Sequence, residues 1–350
     1  MDENPGNALQ LSVVLATYNR AETVRRTLDH LAKQDLDPRA FEVIAIDDGS
    51  PDDTERVIAE IKTQVPFELS YMRHENRGPG FTQNRGIRVA RAPIVLLMAD
   101  DIFLAPGALR AHLDAHARHP ERESAVLGKV IQSPELTQSV FLRHWDPFGF
   151  VAIEGANELP YYWFWACNVS VKREFMLEHG MFHEPKGRGG AAAHEDVELG
   201  YRLHQHGLRL WYEERAFGNH YHVYTIDQAI RRYHERGLNW GEFRSLVPDP
   251  EFIVTSHLLT RETVVDYIRV LRGPNSLHGR ERHLSWHLFR EGIRRLAFNR
   301  ATVQRLWRPL MDRAEVDPRT ARWMSKRIYA GFLFHHFVSG VRDARVRFGS

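Results

Sequence analysis

Cysteine is nearly missing from this chain: Cys167 is the only one in 350 residues. A lone thiol can form neither an intramolecular disulfide nor a thiolate zinc cluster, so the fold must be held by its core. Long apolar runs are missing too. The longest candidates, Ile94–Ala99 and Tyr329–Val338, fall well short of the roughly 18 to 20 apolar residues a spanning helix needs. Met1 to Gln10 is acidic and polar and does not read as a secretory signal, so the expected location is cytoplasmic. Nucleotide-binding glycine loops of the common kinds are absent. Gly78-Pro79-Gly80 and Gly187-Arg188-Gly189-Gly190 match neither GxxxxGK[ST] nor a GxGxxG after the first strand, which speaks against a P-loop ATPase and a dinucleotide dehydrogenase. There is no Gly-x-Ser-x-Gly elbow. His194-Glu195 does not begin an HExxH zinc motif, because Glu198 stands where the second His would be. A hydrolase with a Ser or Cys nucleophile is therefore poorly supported.

What remains is a composition ordinary for a soluble globular protein, with enough length for one large domain or two average ones. The net charge of +2 hides an asymmetry, since Arg261 to Ser350 carries 19 Lys+Arg against 8 Asp+Glu. Such a basic region suits an anionic partner (a lipid headgroup, a phosphate or nucleic acid), or it is an Arg-rich helical surface with no partner.

The first third alternates short apolar runs with helical spacing. Leu11–Ala16, Phe41–Ile46 and Ile94–Met98 are rich in β-branched and aliphatic residues and fit strands buried on both faces, with Glu68–Met72 a weaker fourth. Glu22–Gln34 repeats Val24, Leu28 and Leu31 at helical spacing, and Asp52–Lys62 puts Val57, Ile58 and Ile61 on one side. Asn19 is the candidate N-cap of the first helix, and Ser50 or Asp52 of the second. Strand–helix–strand repeats of this kind predict an open α/β sheet with right-handed crossovers. Ligands of such sheets bind beyond the carboxyl ends of the strands. The segments there are Thr17-Tyr18-Asn19-Arg20, Asp47-Asp48-Gly49-Ser50 and Asp100-Asp101. Beyond about Asp227 the pattern becomes helical and rich in Arg and aromatics, without internal repeats.

Four groups could carry chemistry. The adjacent carboxylates Asp100 and Asp101 repel one another, and a divalent cation such as Mg2+ or Mn2+ relieves that; the bland reading is a solvated turn. Asp48 is placed to accept a hydrogen bond from a base or ribose, or simply closes an Asp-Gly turn. Glu195-Asp196 precedes a helix over Val197 to His206, where an acid can serve as general base or merely favour the first helical turn. His220 and His222 are spaced to share one face of a strand, which suits a metal, although 20 histidines produce such pairs by chance.

The ordered series of motifs resembles the family-2 inverting glycosyltransferases of the GT-A fold. It runs from Leu11-Ser12-Val13-Val14-Leu15-Ala16-Thr17-Tyr18-Asn19-Arg20 through Val43–Ser50, Asn76-Arg77-Gly78, Asn84-Arg85-Gly86-Ile87 and Leu96–Asp101. It continues with Ala166–Ser170, Gly180–Glu184, Glu195–Leu199, Tyr201-Arg202-Leu203, Ala216 and His220, covering about residues 10 to 225. The resemblance implies a Rossmann-like, mostly parallel central sheet flanked by helices, in a domain over 1–225 with a nucleotide half near 10–120 and an acceptor half near 121–225. Residues 226–350 would form a helical C-terminal region. It further implies a nucleotide-sugar donor, with uridine diphosphate the commonest carrier, a Mn2+ or Mg2+ ion, and a carbohydrate or lipid-linked acceptor. Thr17, Tyr18, Asn19, Asp48, Asn84 and Asp100 would line the donor site. Asp101 and His220 would hold the metal, Asp196 would be the general base, and Glu195 would orient the acceptor.

Three departures stand out: Gln83 where relatives carry Arg, His183 in place of an acid, and the inserted Ala191-Ala192-Ala193. A sugar-phosphate nucleotidyltransferase would want a Gly-rich basic loop after the first strand, which Thr17–Arg20 is not. A non-catalytic scaffold on the same fold would not need Asp48, Asp100, Asp101, Asp196 and His220 together. The segment Ile328–Val338, near Arg322, Lys326 and Arg327, offers either a peripheral contact with a membrane's inner face or a helical lid; a nucleic-acid partner is not expected.

Overall fold

A computed structural model describes residues 8–145, 147–184, 194–249, 252 and 292–348. Ala191-Ala192-Ala193 and the Gly187–Gly190 stretch lie outside the described residues. Cα proximity divides the chain into a unit of Met1–Thr137 with Pro147–Val223 and a unit of Gln138–Asp146 with Tyr224–Ser350.

The first unit is built on a mixed sheet in the order β3-β2-β1-β4-β8-β6-β9-β5, with β7 added beside β9. Strands β1 (Leu11–Thr17), β2 (Phe41–Asp47), β3 (Glu68–Arg73) and β4 (Ile94–Ala99) run parallel. Nearly every residue of β1, β2 and β4 is buried, as expected of strands covered on both faces. Glu42, inside β2, is buried among donors: Ser12 Oγ at 2.6 Å and the Arg91 N–H at 2.9 Å. Helices α1 (Ala21–Leu31) and α2 (Thr54–Lys62) turn Val24, Leu28, Leu31 and Val57, Ile58, Ile61 into the core, the faces their spacing predicts.

Chain order reverses at β1: β2 and β3 are laid on one side, β4 on the other. That switch point opens a crevice at the carboxyl ends of β1 and β4. Helix α3 (Pro79–Val89) crosses from β3 to β4, and the short β5 (Ile102–Leu104) and helix α4 (Ala108–Arg118) follow. Beyond β6 (Ser124–Gln132), β7 (Glu158–Leu159), β8 (Asn168–Lys172) and β9 (Arg209–His220), the sheet is no longer uniformly parallel: β8 runs antiparallel to both β4 and β6.

Two of the expected caps, Asn19 and Ser50, are corrected, and Asp52 serves the start of α2 as expected. Asn19 does not cap α1: its φ of 55° is left-handed, and the Ala21 N–H is accepted instead by Asp52 Oδ2 at 3.0 Å. Ser50 does not cap α2; its hydroxyl accepts the Asn19 N–H at 2.8 Å. Asp52 accepts both the N–H and the hydroxyl of Thr54, the first residue of α2, so one carboxylate serves both helix starts.

In the second unit, helix α5 (Val140–His144) has its first N–H groups accepted by Glu315, at 2.8 Å each for Val140 and Phe141. This ties the 138–146 excursion, which sequence alone leaves in the acceptor half, to the C-terminal helices. Tyr329, Phe332 and Leu333 of the helix Lys326–Phe348 are buried with Val140, Phe141 and Met311. The apolar residues of Ile328–Val338 are therefore mostly core rather than a membrane-facing stripe; Val316 and Trp323 are the more exposed side chains. No helix among the described residues is long and apolar enough to cross a membrane.

Candidate functional site

Asp100 and Asp101 leave β4 at the switch point and are buried, 4% and 5% exposed. Thr17, at the end of β1, donates its hydroxyl to Asp100 Oδ2 at 2.7 Å, and Thr27 of α1 donates to the Asp100 carbonyl at 2.6 Å. The turn after Asp101 enters β5, where Ile102 lies opposite His220 at the end of β9. That register closes a gap of over a hundred residues and sets His220 Nε2 at 3.6 Å from Asp101 Oδ2. His222 lies past the strand, yet its ring stacks on that of His220, and its Nδ1 is 3.4 Å from the same carboxylate oxygen. Both histidines therefore reach Asp101.

Arg20 completes the cluster. Its Nη1 donates to Asp100 Oδ1 at 2.8 Å and to Asp101 Oδ2 at 2.5 Å, and its Nη2 lies 3.2 Å from His222 Nδ1. Burial, reinforced by the charge of Asp101, pushes the Asp100 carboxyl up to about 6. Burial acts on Asp101 as well, but the histidines and Arg20 outweigh it and hold that carboxyl well below the usual range. As the side chains stand, no group of three or more His, Cys, Asp or Glu among the described residues is arranged to hold a metal ion. The Arg20 guanidinium lies against three of the four side chains of this cluster, Asp100, Asp101 and His222.

Asp48 follows β2 and accepts the N–H groups of Arg77 at 2.7 Å and Gly78 at 3.0 Å, which orders the loop into α3. Gly49, at φ 81°, makes this turn possible: a Cβ there would meet the His74 carbonyl oxygen at 2.9 Å. Tyr18 and Asn19 are exposed beside this turn. Asn84 does not join them. Its amide is engaged with Phe182 N–H and C=O, at 2.9 Å each, and with Glu184 Oε1 at 2.8 Å, so it ties α3 to the segment after helix α6 (Arg173–His179). Gln83, one turn position before it, is buried with an amide oxygen that has no hydrogen-bond partner.

Glu195 and Asp196 open helix α7 (Glu195–His204) after His194, which has a left-handed φ of 81°. Asp196 Oδ1 accepts the Val197 N–H at 2.9 Å. Glu195 lies against the start of α3, where a Cβ on Gly80 would sit 3.3 Å from its Oε2. Burial, with the neighbouring Asp196 charge, pushes the Glu195 carboxyl up to about 7 although the Gly80 N–H opposes this. The loop held by Asp48 thus leads into the helix whose start receives Glu195.

Sequence reasoning gave no role to Arg20 and kept only His220 of the histidine pair. The signal for both was present: Arg20 ends the first strand-end segment, and His222 shares the spacing already noted.

Residues 12–154 match the family model described as Glycosyl transferase family 2. Among curated proteins, the validoxylamine A glucosyltransferase of Streptomyces hygroscopicus subsp. limoneus is 29% identical over 280 residues, 70% of this chain and 59% of that one. The poly(ribitol-phosphate) beta-N-acetylglucosaminyltransferase TarS of Staphylococcus aureus is 30% identical over 136 residues, 38% of this chain and 23% of that one. The chain thus spans about 59% of the length of the first of these relatives. Among solved structures, the mannosyltransferase PcManGT from Pyrobaculum calidifontis, in complex with GDP-Man and Mn2+, superposes with a TM-score of 0.57 at 17% identity, covering 97% of this chain and 89% of that one. Residues 12–154 are thus similar to glycosyl transferase family 2, and the first unit carries the GT-A fold.

Proposed function

We propose that the chain moves a sugar from a nucleoside-diphosphate-sugar to an acceptor hydroxyl with inversion at the anomeric carbon. The observation that carries this reading is the buried Asp100–Asp101 pair meeting His220 and His222 at the switch point of a GT-A sheet. The donor set fits a divalent cation. Carboxylate and imidazole are both ligands that such an ion accepts, and Asp101 Oδ2 lies 3.4 and 3.6 Å from the two ring nitrogens. Asp101, His220 and His222 would hold the ion, with Asp100 beside it. A Mn2+ or Mg2+ ion there supplies Lewis-acid neutralisation of a departing diphosphate.

The remaining work falls to side chains of this chain. Thr17 fixes the Asp100 carboxylate, and Tyr18 and Asn19 are accessible to the nucleotide, with UDP the proposed carrier. Asp48 shapes the Arg77-Gly78 loop and leaves its neighbouring amides to the ligand. Asp196 removes the proton from the acceptor hydroxyl, and Glu195, protonated below about 7, orients that hydroxyl beside it. No protein nucleophile is required, in keeping with the missing Ser and Cys constellations. The acceptor is a carbohydrate or lipid-linked carbohydrate, in polysaccharide, glycolipid or other glycoconjugate synthesis.

The test is release of nucleoside diphosphate from a panel of UDP- and GDP-sugars, with Mn2+ or with chelator. Metal-dependent release from a donor supports the transferase. Nucleotide binding that never leads to release, with any acceptor supplied, would favour a non-catalytic scaffold.

A further inference from the structure

Two adjacent buried carboxylates are costly unless a proton or a positive charge offsets them. Here that charge comes from Arg20, whose guanidinium contacts Asp100 Oδ1, Asp101 Oδ2 and His222 Nδ1 at 2.8, 2.5 and 3.2 Å. These are three of the atoms that surround the cation position, and they are drawn together from the ends of β4 and β9. An ordinary structural ion pair would join one cation to one acid. Arg20 instead touches two acids and a histidine at once.

Its attachment also suits a group that leaves. Arg20 directly precedes α1 and follows Asn19, whose left-handed backbone makes a sharp corner. The Arg20 side chain is 33% exposed, whereas those of its carboxylate partners are 6% and 7% exposed. The acids are fixed by Thr17, Thr27 and the strand ends; the arginine is on the solvent side. One guanidinium also carries a single charge against two carboxylates, so a divalent ion matches the site better than the residue that fills it.

We propose that Arg20 is a tethered cation that holds the Asp100–Asp101 site in the metal-free protein and competes with the divalent ion for it. The proposal rests on the transferase reading only in taking this cluster as the metal site. Metal binding swings the guanidinium out to the rim of the crevice, toward the anionic end of a nucleoside diphosphate. Affinity for metal alone is thereby kept low, and metal is retained best when a diphosphate arrives to take up both charges.

The experiment is Mn2+ titration of the full chain without nucleotide, followed by the paramagnetic resonance signal of free Mn2+, for wild type, Arg20→Gln and Arg20→Lys. Thermal melting with and without Mn2+ accompanies it. The expected result is that Arg20→Gln binds Mn2+ about tenfold more tightly or better, with Arg20→Lys between the two. Arg20→Gln also melts lower without metal, and Mn2+ restores most of the loss. Unchanged or weaker affinity in Arg20→Gln, with a loss of stability that Mn2+ does not restore, makes Arg20 a plain structural staple and overturns the proposal. Absence of Mn2+ binding in both wild type and Arg20→Gln overturns it equally. The donor-panel assay is separate: tighter Mn2+ binding by Arg20→Gln in a chain that turns over no donor would leave the tethered cation standing and remove the transferase.

Discussion

Glu195 and Asp196 are neighbours in sequence, but their surroundings differ. Glu195 is pressed against the start of α3 and titrates near 7, whereas Asp196 holds the N–H of Val197. Pairs of acids pushed apart in this way divide their roles. Asp196→Asn removes the base and is expected to lower kcat/KM by about a hundredfold or more. Glu195→Gln copies the protonated form and keeps most of the activity at pH 6. Glu195 is neutral below about 7 and ionised above it. In the wild type its ionisation removes the proton with which Glu195 orients the acceptor hydroxyl, so kcat/KM falls as pH rises through this region. The pH profile of Glu195→Gln should lack that inflection. An inflection near 7 that survives the substitution assigns it to another group.

At the scale of elements, α4 is fastened to β8 by a buried polar cluster. His112 Nδ1 lies 2.9 Å from Ser170 Oγ, its Nε2 3.1 Å from Asn168 Oδ1, and His116 Nε2 lies 2.9 Å from Ser170 Oγ. Burial pushes the His112 imidazole down to about 4 and that of His116 well below its ordinary range. A histidine with a depressed folded-state pKa is neutral in the folded protein and protonates first in the unfolded chain. The stability it contributes is complete above about 6.5 and is lost as pH falls toward 4. For His112 alone the span corresponds to about 3 kcal/mol. Urea unfolding at pH 7 and pH 4.5 should show the loss, and His112→Gln, less stable at pH 7, should show a shallower pH slope. Equal slopes would contradict the cluster's role.

The elements themselves were legible where they are locally determined. β1, β2 and β4 announce themselves as unbroken apolar runs, and α1 and α2 by the spacing of their buried faces. Caps were not, because α1 borrows Asp52 from a loop 31 residues away rather than using Asn19. The second half of β9, Glu213 to His220, carries no apolar strand signal, and its pairing with β6 shifts register. Asp101 and His220 could be joined only through resemblance, because their meeting depends on the β5–β9 register. Arg20 ends a strand-end segment in the sequence, but its turn onto Asp100 and Asp101 depends on tertiary contacts.

For the molecule as a whole, the GT-A sheet concentrates charge where strand order reverses, and the likeness to glycosyl transferase family 2 covers the residues that build that end of the sheet. In the second unit the apolar residues of Ile328–Val338 are mostly core. The central claim concerns the first unit, that Asp101 serves donor binding and Asp196 serves the chemistry. The most direct measurement is equilibrium binding of the accepted nucleotide-sugar with Mn2+, beside turnover, for wild type, Asp101→Asn and Asp196→Asn. The account predicts that Asp101→Asn loses metal-dependent donor binding and turnover together, while Asp196→Asn binds donor as wild type does and fails to turn it over. Donor binding by Asp101→Asn equal to wild type, with the same metal dependence, would contradict it.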